Sequence, residues 1–181
     1  MLVAMTGASG AILGIKLLEV LKKLGIETEL IISEKAEIII TTETDYNVKE
    51  VRQLATKNYE VNDLTAAPAS GSYKVEEMIV IPCTMKTLAA VANGYSDNLI
   101  SRVADVMLKE RRRLILVVRE TPLNAIHLEN MLKLTRLGVV IFPPIPSFYH
   151  KPQNINDIIN HTIGRILDQA GIEIDIKRWG Y

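Results

Sequence analysis

Apolar and polar positions along the chain follow two rhythms, and the switches between them mark out the elements. Short, nearly unbroken apolar runs fall at residues 2–6, 28–32, 78–81, 114–118 and 139–142. Continuous runs of this length read as strands covered on both faces. Between them, residues 11–24, 34–42, 48–55, 88–93, 99–111, 123–136 and 154–170 repeat their apolar positions every three or four residues and read as helices. The β-branched run from Ile38 to Thr42 counts against the second of these. Gly25, Gly94 and Gly138 close three of the helices. Residues 59–63 read as loop or a short edge strand, and residues 68–72 and 143–150 as loops. Strands alternating with helices predict an α/β protein, a three-layer α/β/α Rossmann-like fold with a mainly parallel sheet, in one domain over 1–181. Right-handed crossovers then bring the carboxyl ends of the strands to one edge, where open α/β sheets bind ligands.

The residues at those strand ends carry chemistry. After the first strand, Gly7-Ala8-Ser9-Gly10 is a turn of small residues opening a helix, an arrangement that lets backbone N–H groups approach an anion. It is not the GxGxxG dinucleotide pattern. Ser33 follows the second strand, and Thr84-Met85-Lys86-Thr87 follows the third run. Each hydroxyl reads equally as a helix cap or as a ligand contact. Arg119-Glu120 leaves the strand at 114–118, with Thr121 suited to cap the next helix and Pro122 to begin it; surface ion pair and site are both open readings. Arg102, Asp105 and Lys109 share a helix face by spacing. The rigid proline-rich loop ends in Phe148-Tyr149-His150, Arg165 sits on the last helix, and Trp179 in the tail suggests docking.

Composition narrows the classes. A chain of 181 residues that is 48% hydrophobic can bury a sizeable core. Lys+Arg and Asp+Glu are both 21, so no basic excess points to nucleic acid. The single cysteine, Cys83, precludes an intrachain disulfide and fits a reducing, cytoplasmic setting. No apolar run reaches membrane-spanning length. His127, His150 and His161 have no partners at metal-ligand spacing, and no DDxxD motif is present. Several anion-binding elements together with Lys109, Arg119 and Arg165 on separate segments leave room for two phosphate groups.

The segments AMTGASGA, TETD at 42–45, PASGS at 68–72, residues 82–114, VRETPL at 118–123, HLENMLKL at 127–134, PPIPSFYHKPQ at 143–153 and RWG at 178–180 closely resemble the UbiX-type flavin prenyltransferases over essentially the whole chain. The resemblance implies an enzyme that joins a dimethylallyl group from dimethylallyl phosphate to N5 and C6 of reduced FMN without a metal. The product, prenylated FMN, would serve UbiD-type decarboxylases, and the enzyme would be a homo-oligomer, a dodecamer, with sites between subunits. It implies FMN contacts at Ala8, Ser9, Gly10, Ser33, Thr84, Met85, Lys86, Thr87 and Arg119. Prenyl phosphate contacts would be Lys109, Arg119, Tyr149 and Arg165, with Trp179 a neighbour. Ser70, Arg102 and Glu120 would line the reacting centre, and Glu43 would reach in from a neighbouring subunit. Thr84 stands where many relatives have Ser, which keeps the hydroxyl. The loop before PASGS lacks a Trp of some relatives, with Leu64 near its place. The alternative reading is an FMN-dependent cysteine decarboxylase of the related homo-oligomeric family, but that family's PxMNxxMW segment is PCTMKTLA here and no His precedes residue 127.

Overall fold

The structure is a computed structural model and describes residues 1–180; Tyr181, the last residue of the tail, lies outside the described residues. Six strands, β1 (Leu2–Met5), β2 (Glu29–Ile32), β3 (Lys57–Tyr59), β4 (Glu77–Cys83), β5 (Arg113–Val118) and β6 (Val140–Ile141), form one sheet in the order β3-β2-β1-β4-β5-β6. Every pairing is parallel. Seven helices, α1 (Ala11–Lys23), α2 (Glu34–Glu43), α3 (Val48–Arg52), α4 (Met85–Ala92), α5 (Leu99–Lys109), α6 (Ala125–Arg136) and α7 (Ile155–Gln169), cover its two faces.

The central strands are unbroken apolar runs because alternate side chains enter different cores. Leu114, Leu116 and Val118 of β5 join Leu2, Ala4, Met78 and Val80 against α4, α5 and α6. Ile115 and Val117 join Val3, Met5, Ile79 and Ile81 against α1, α2 and α7. The sheet is thus held from both sides, and the residues that leave its strands are rigidly based.

Local capping explains where the helices begin, and most of them end a residue or more short of the expected boundaries. Residues 34–43 are helical despite their β-branched residues, because the Ser33 hydroxyl accepts the Ala36 N–H at 3.2 Å and Ile40 is fully buried. Thr121 and Pro122 do not open α6. It begins at Ala125, where Asn124 accepts the His127 N–H at 2.9 Å and the His127 ring returns the bond to the Asn124 N–H. The third-run helix starts earlier than expected, at Met85, with Thr84 as its cap. The last strand pairs only over Val140–Ile141. The edge strand falls at Lys57–Tyr59, just before the segment expected to hold it.

Candidate active site

The ends of β1 and β4 are stitched together by one side chain. The Thr6 hydroxyl donates to the Pro82 carbonyl at 2.7 Å and accepts the Thr84 N–H at 2.9 Å. This sets the start of α4 beside the start of α2. Ser33 and Thr84 both cap these helices, and Thr84 also donates to the Thr87 hydroxyl at 3.0 Å. A cavity of about 430 Å³ lies between the two helix N-termini, lined by Thr6, Gly7, Ser33, Lys35, Asn62, Thr84, Lys86, Thr87 and Asn98 among others. Its hydroxyls, Lys35 and two positive helix ends suit a phosphorylated ligand of cofactor size, although Glu34 and Asp97 line it too and Asp97 pairs with Lys86 at 3.3 Å. Met85 is turned away and packs against the core. Asn62, Asn98 and Lys35 escaped the sequence reading; Asn98 was findable as the head of the α5 capping box.

The Gly-rich turn already holds an anion of its own. α2 lies across it, with Lys35 close against Gly7. The Glu43 carboxylate accepts the Gly10 N–H at 2.7 Å and the Ala11 N–H at 3.2 Å. Partial burial would raise the pKa of Glu43, but hydrogen bonds from the Ser9 hydroxyl and the two amides, with the nearby Arg119, outweigh it and hold the carboxyl below its ordinary range. The resemblance implied that Glu43 reaches in from a neighbouring subunit; within one chain its carboxylate caps the turn of its own Gly10 and Ala11. Gly10 itself has φ +101°, a left-handed conformation that favours glycine.

Arg119 and Glu120 are exposed at the carboxyl end of β5. The Arg119 N–H donates to the Cys83 carbonyl at 3.2 Å, which fixes it beside the end of β4. Among the described residues Glu120 accepts only the N–H of Thr121, at 3.0 Å. The structure brings these two together with Ser9, Gly10 and Glu43 at one sheet edge.

Ser70, Arg102 and Lys109 form a different group. Arg102 donates from Nε to the Ala69 carbonyl at 3.0 Å and pairs with Asp105 at 2.9 Å. Ser70 bonds to Ser72 at 2.8 Å. Lys109 pairs with Glu110 and stands against Gly71. It precedes β5, whereas Arg119 follows it, so the six residues of that strand, roughly 20 Å, separate them. One chain does not bring Lys109 and Arg119 to one phosphate.

A third group lies between α7, the proline-rich loop and the tail. Tyr149, Arg165 and Trp179 line a cavity of about 520 Å³ with Ser147, His161 and Arg178. It shares no lining residue with the first cavity. Trp179 packs edge-on against Tyr149, ring centres 5.6 Å apart. The tail is anchored by Asp168, which accepts from Arg178 at 2.8 and 2.9 Å and from Arg165 at 2.5 Å. Cys83 takes no part: burial pushes its thiol up to about 12, so it stays protonated and is no nucleophile. Among the described residues no three His, Cys, Asp or Glu side chains stand grouped as metal ligands, and no helix is long and apolar enough to cross a membrane.

The flavoprotein family model matches residues 1–167. Flavin prenyltransferase UbiX of Methanocaldococcus jannaschii is 56% identical over 180 residues, covering 99% of this chain and 97% of its own. A UbiX protein (AnUbiX, PadA1) crystallised with FMN and dimethylallyl pyrophosphate is 55% identical, with a TM-score of 0.98 over 99% of this chain and 96% of that one. A dodecameric FMN-dependent UbiX-like decarboxylase from Escherichia coli O157:H7 is 48% identical, with a TM-score of 0.97 over 99% of this chain and 98% of that one. The chain belongs to the flavoprotein family and, within it, to the UbiX-type flavin prenyltransferases. The peptidyl-cysteine decarboxylase EpiD, at 19% identity and a TM-score of 0.65, shares the fold alone, so the prenyltransferase reading stands over the cysteine decarboxylase alternative.

Proposed function

We propose that this chain transfers a dimethylallyl group from dimethylallyl phosphate to N5 and C6 of reduced FMN, and that its product is the cofactor of a UbiD-type decarboxylase in the cytoplasm. The observation that supports this best is the pairing of two anion sites of different build: a hydroxyl-lined cleft between two helix N-termini, and a Tyr-Arg pocket edged by an aromatic ring. The first fits the phosphate of FMN. The second fits a small phosphate ester whose hydrocarbon lies against Trp179. The resemblance to a chain crystallised with FMN and dimethylallyl pyrophosphate points the same way.

FMN, when bound, supplies the nucleophilic ring. The residues of this chain hold and polarise. Ser33, Thr84, Thr87 and Lys86 bind the flavin phosphate, while Ser9 and Gly10 with Glu43 shape the floor beside the ring. Arg119, Arg165 and Tyr149 stabilise the phosphate as it leaves an allylic carbon, where negative charge develops. Glu120, with no partner among the described residues beyond its neighbouring amide, donates a proton to the leaving phosphate and later accepts one from the flavin.

The three residue groups lie apart in one chain, so the working site is built between subunits of a homododecamer like the E. coli relative's. In that assembly a second copy offers Lys109, Arg102 and Ser70, and Tyr149 and Arg165 close the donor pocket. The direct test is anaerobic incubation with reduced FMN and dimethylallyl phosphate, reading the mass of the flavin. A five-carbon gain is expected. Unchanged flavin, with FMN bound and either the mono- or the diphosphate supplied, would remove the function.

A further inference from the structure

Behind Tyr149 lies a hydrogen-bonded chain that the proposed chemistry does not yet use. The Tyr149 hydroxyl is 2.8 Å from His161 Nε2. His161 Nδ1 is 3.0 Å from the Ser147 hydroxyl, which is itself 3.4 Å from His150 Nδ1. The two imidazoles stack with ring centres 4.3 Å apart and planes 4° from parallel. His161 is 7% exposed, and His150 Nε2 is buried with no hydrogen-bond partner among the described residues.

That last atom, taken with the single proton of Ser147, points to one direction for the chain. Each neutral imidazole carries one N–H and one bare nitrogen. If Tyr149 donated to His161, then His161 Nδ1–H would donate to Ser147, Ser147 to His150 Nδ1, and the His150 proton would be left on Nε2. A buried N–H would then have no acceptor among the described residues, which proteins avoid. The opposite order leaves only a bare nitrogen unpaired, and it also uses the Ser147 proton, which would have no acceptor among the described residues if both rings donated to Ser147. In it, His150 Nδ1–H donates to Ser147, Ser147 donates to His161 Nδ1, and His161 Nε2–H donates to the Tyr149 oxygen. The phenol hydrogen is then free to point into the cavity that holds Arg165.

We propose that His161, oriented by Ser147 and His150, is a positioning residue that aims the Tyr149 O–H at the leaving phosphate; this rests on the donor-pocket reading given above. The ring must be neutral for Ser147 to donate to it. Burial does most to hold His161 below the ordinary histidine range, and His150 follows. Arg165 acts in the same direction, against the Lys177 backbone and Asp168. His161, Arg165 and Asp168 share one face of α7, so the helix that carries the guanidinium also carries the base that orients the phenol.

Two measurements test this. Neutron diffraction from deuterated crystals of the flavin-free protein, at mildly alkaline pH, should show deuterium on His161 Nε2 and His150 Nδ1. Deuterium on His161 Nδ1 with the Tyr149 O–D turned toward it would overturn the assignment whatever the activity. The second is a single-turnover cycle with reduced FMN and dimethylallyl phosphate. Tyr149→Phe should slow transfer by about 10²-fold, as removal of one donor to a developing anion does. His161→Leu should slow it by about 10-fold with little change in KM, and the double variant should be no slower than Tyr149→Phe. His161→Gln, which keeps an N–H near the Nε2 position, should recover most of the rate and guards against a folding defect. Multiplying losses, or a slow Tyr149→Phe beside a full-rate His161→Leu, would sink the positioning role alone. A full-rate Tyr149→Phe would sink the donor pocket itself.

Discussion

Asp168 shows how much can hang on one carboxylate. It holds the tail through Arg178 and steadies Arg165, a side chain of the donor pocket. The hydrogen bonds from Arg178 are the main reason its carboxyl lies below the ordinary aspartate range; burial opposes them and Arg165 adds to them. A depressed folded-state value means that the anchoring is fully present above the unfolded value of about 3.9 and is lost as pH falls through the lowered one. Asp168→Asn is therefore expected to lower Tm by about 2–6 °C at neutral pH, and the gap from wild type should close as pH drops below about 4. Melting curves of the two proteins across that range check it. A constant gap would mean that shape, not charge, holds the tail. Nothing in the sequence singled out Asp168 or His161. Their neighbour Arg165 was visible through the resemblance, and both lie within one turn of it on α7. A helical-face reading outward from Arg165 would have found them.

The elements were legible wherever a strand is buried on both faces, because such a strand has no polar side to blur its period. β1, β2, β4 and β5 emerged from the apolar runs with at most small shifts at their ends. The start of α6 did not. Thr121-Pro122 carries the chemistry of a helix start, yet Asn124 with His127 makes the capping box three residues later. A cap is decided by which hydroxyl or amide the fold can aim at the first turn, and sequence alone offers both candidates. Packing at the α1–β4 contact is tight enough for a direct prediction. A Cβ on Gly14 would stand 2.7 Å from the Ile81 carbonyl oxygen and 2.8 Å from Met5 Cε. The methionine can yield, but the backbone carbonyl of a central strand cannot. Gly14→Ala is expected to cost about 1–3 kcal/mol, read as a lower midpoint in urea unfolding at an unchanged slope. An unchanged midpoint would show that α1 can slide on the sheet.

Across the whole molecule, the residues implied by the resemblance were all nameable in advance, but their distribution was not. A list of residues carries no distances. Only the fold shows that Lys109 and Arg119 sit at opposite ends of β5 and that Tyr149 opens on a different cavity from Ser33 and Thr84. The same fold shows Glu43 on the amides of its own Gly-rich turn, a contact the residue list did not carry. If the working site joins Lys109 of one subunit to Arg119 of another, two inactive variants should complement. Lys109→Ala and Arg119→Ala, each inactive alone, are mixed by unfolding and refolding together. With random assembly, about a quarter of the sites would regain both side chains, and prenyl transfer should return in that proportion. No recovery, with mixed oligomers demonstrated by mass, would place both residues in one subunit.

Trp179 is the only tryptophan in the chain, and it lies against Tyr149 at the rim of the donor pocket. The protein therefore carries its one indole fluorophore at the place where its chemistry is proposed to occur. A flavin bound nearby absorbs where indole emits, so filling the flavin cleft would dim that emission, and loss of the flavin would restore it. Occupancy could then be followed by light alone, without a label and without turnover.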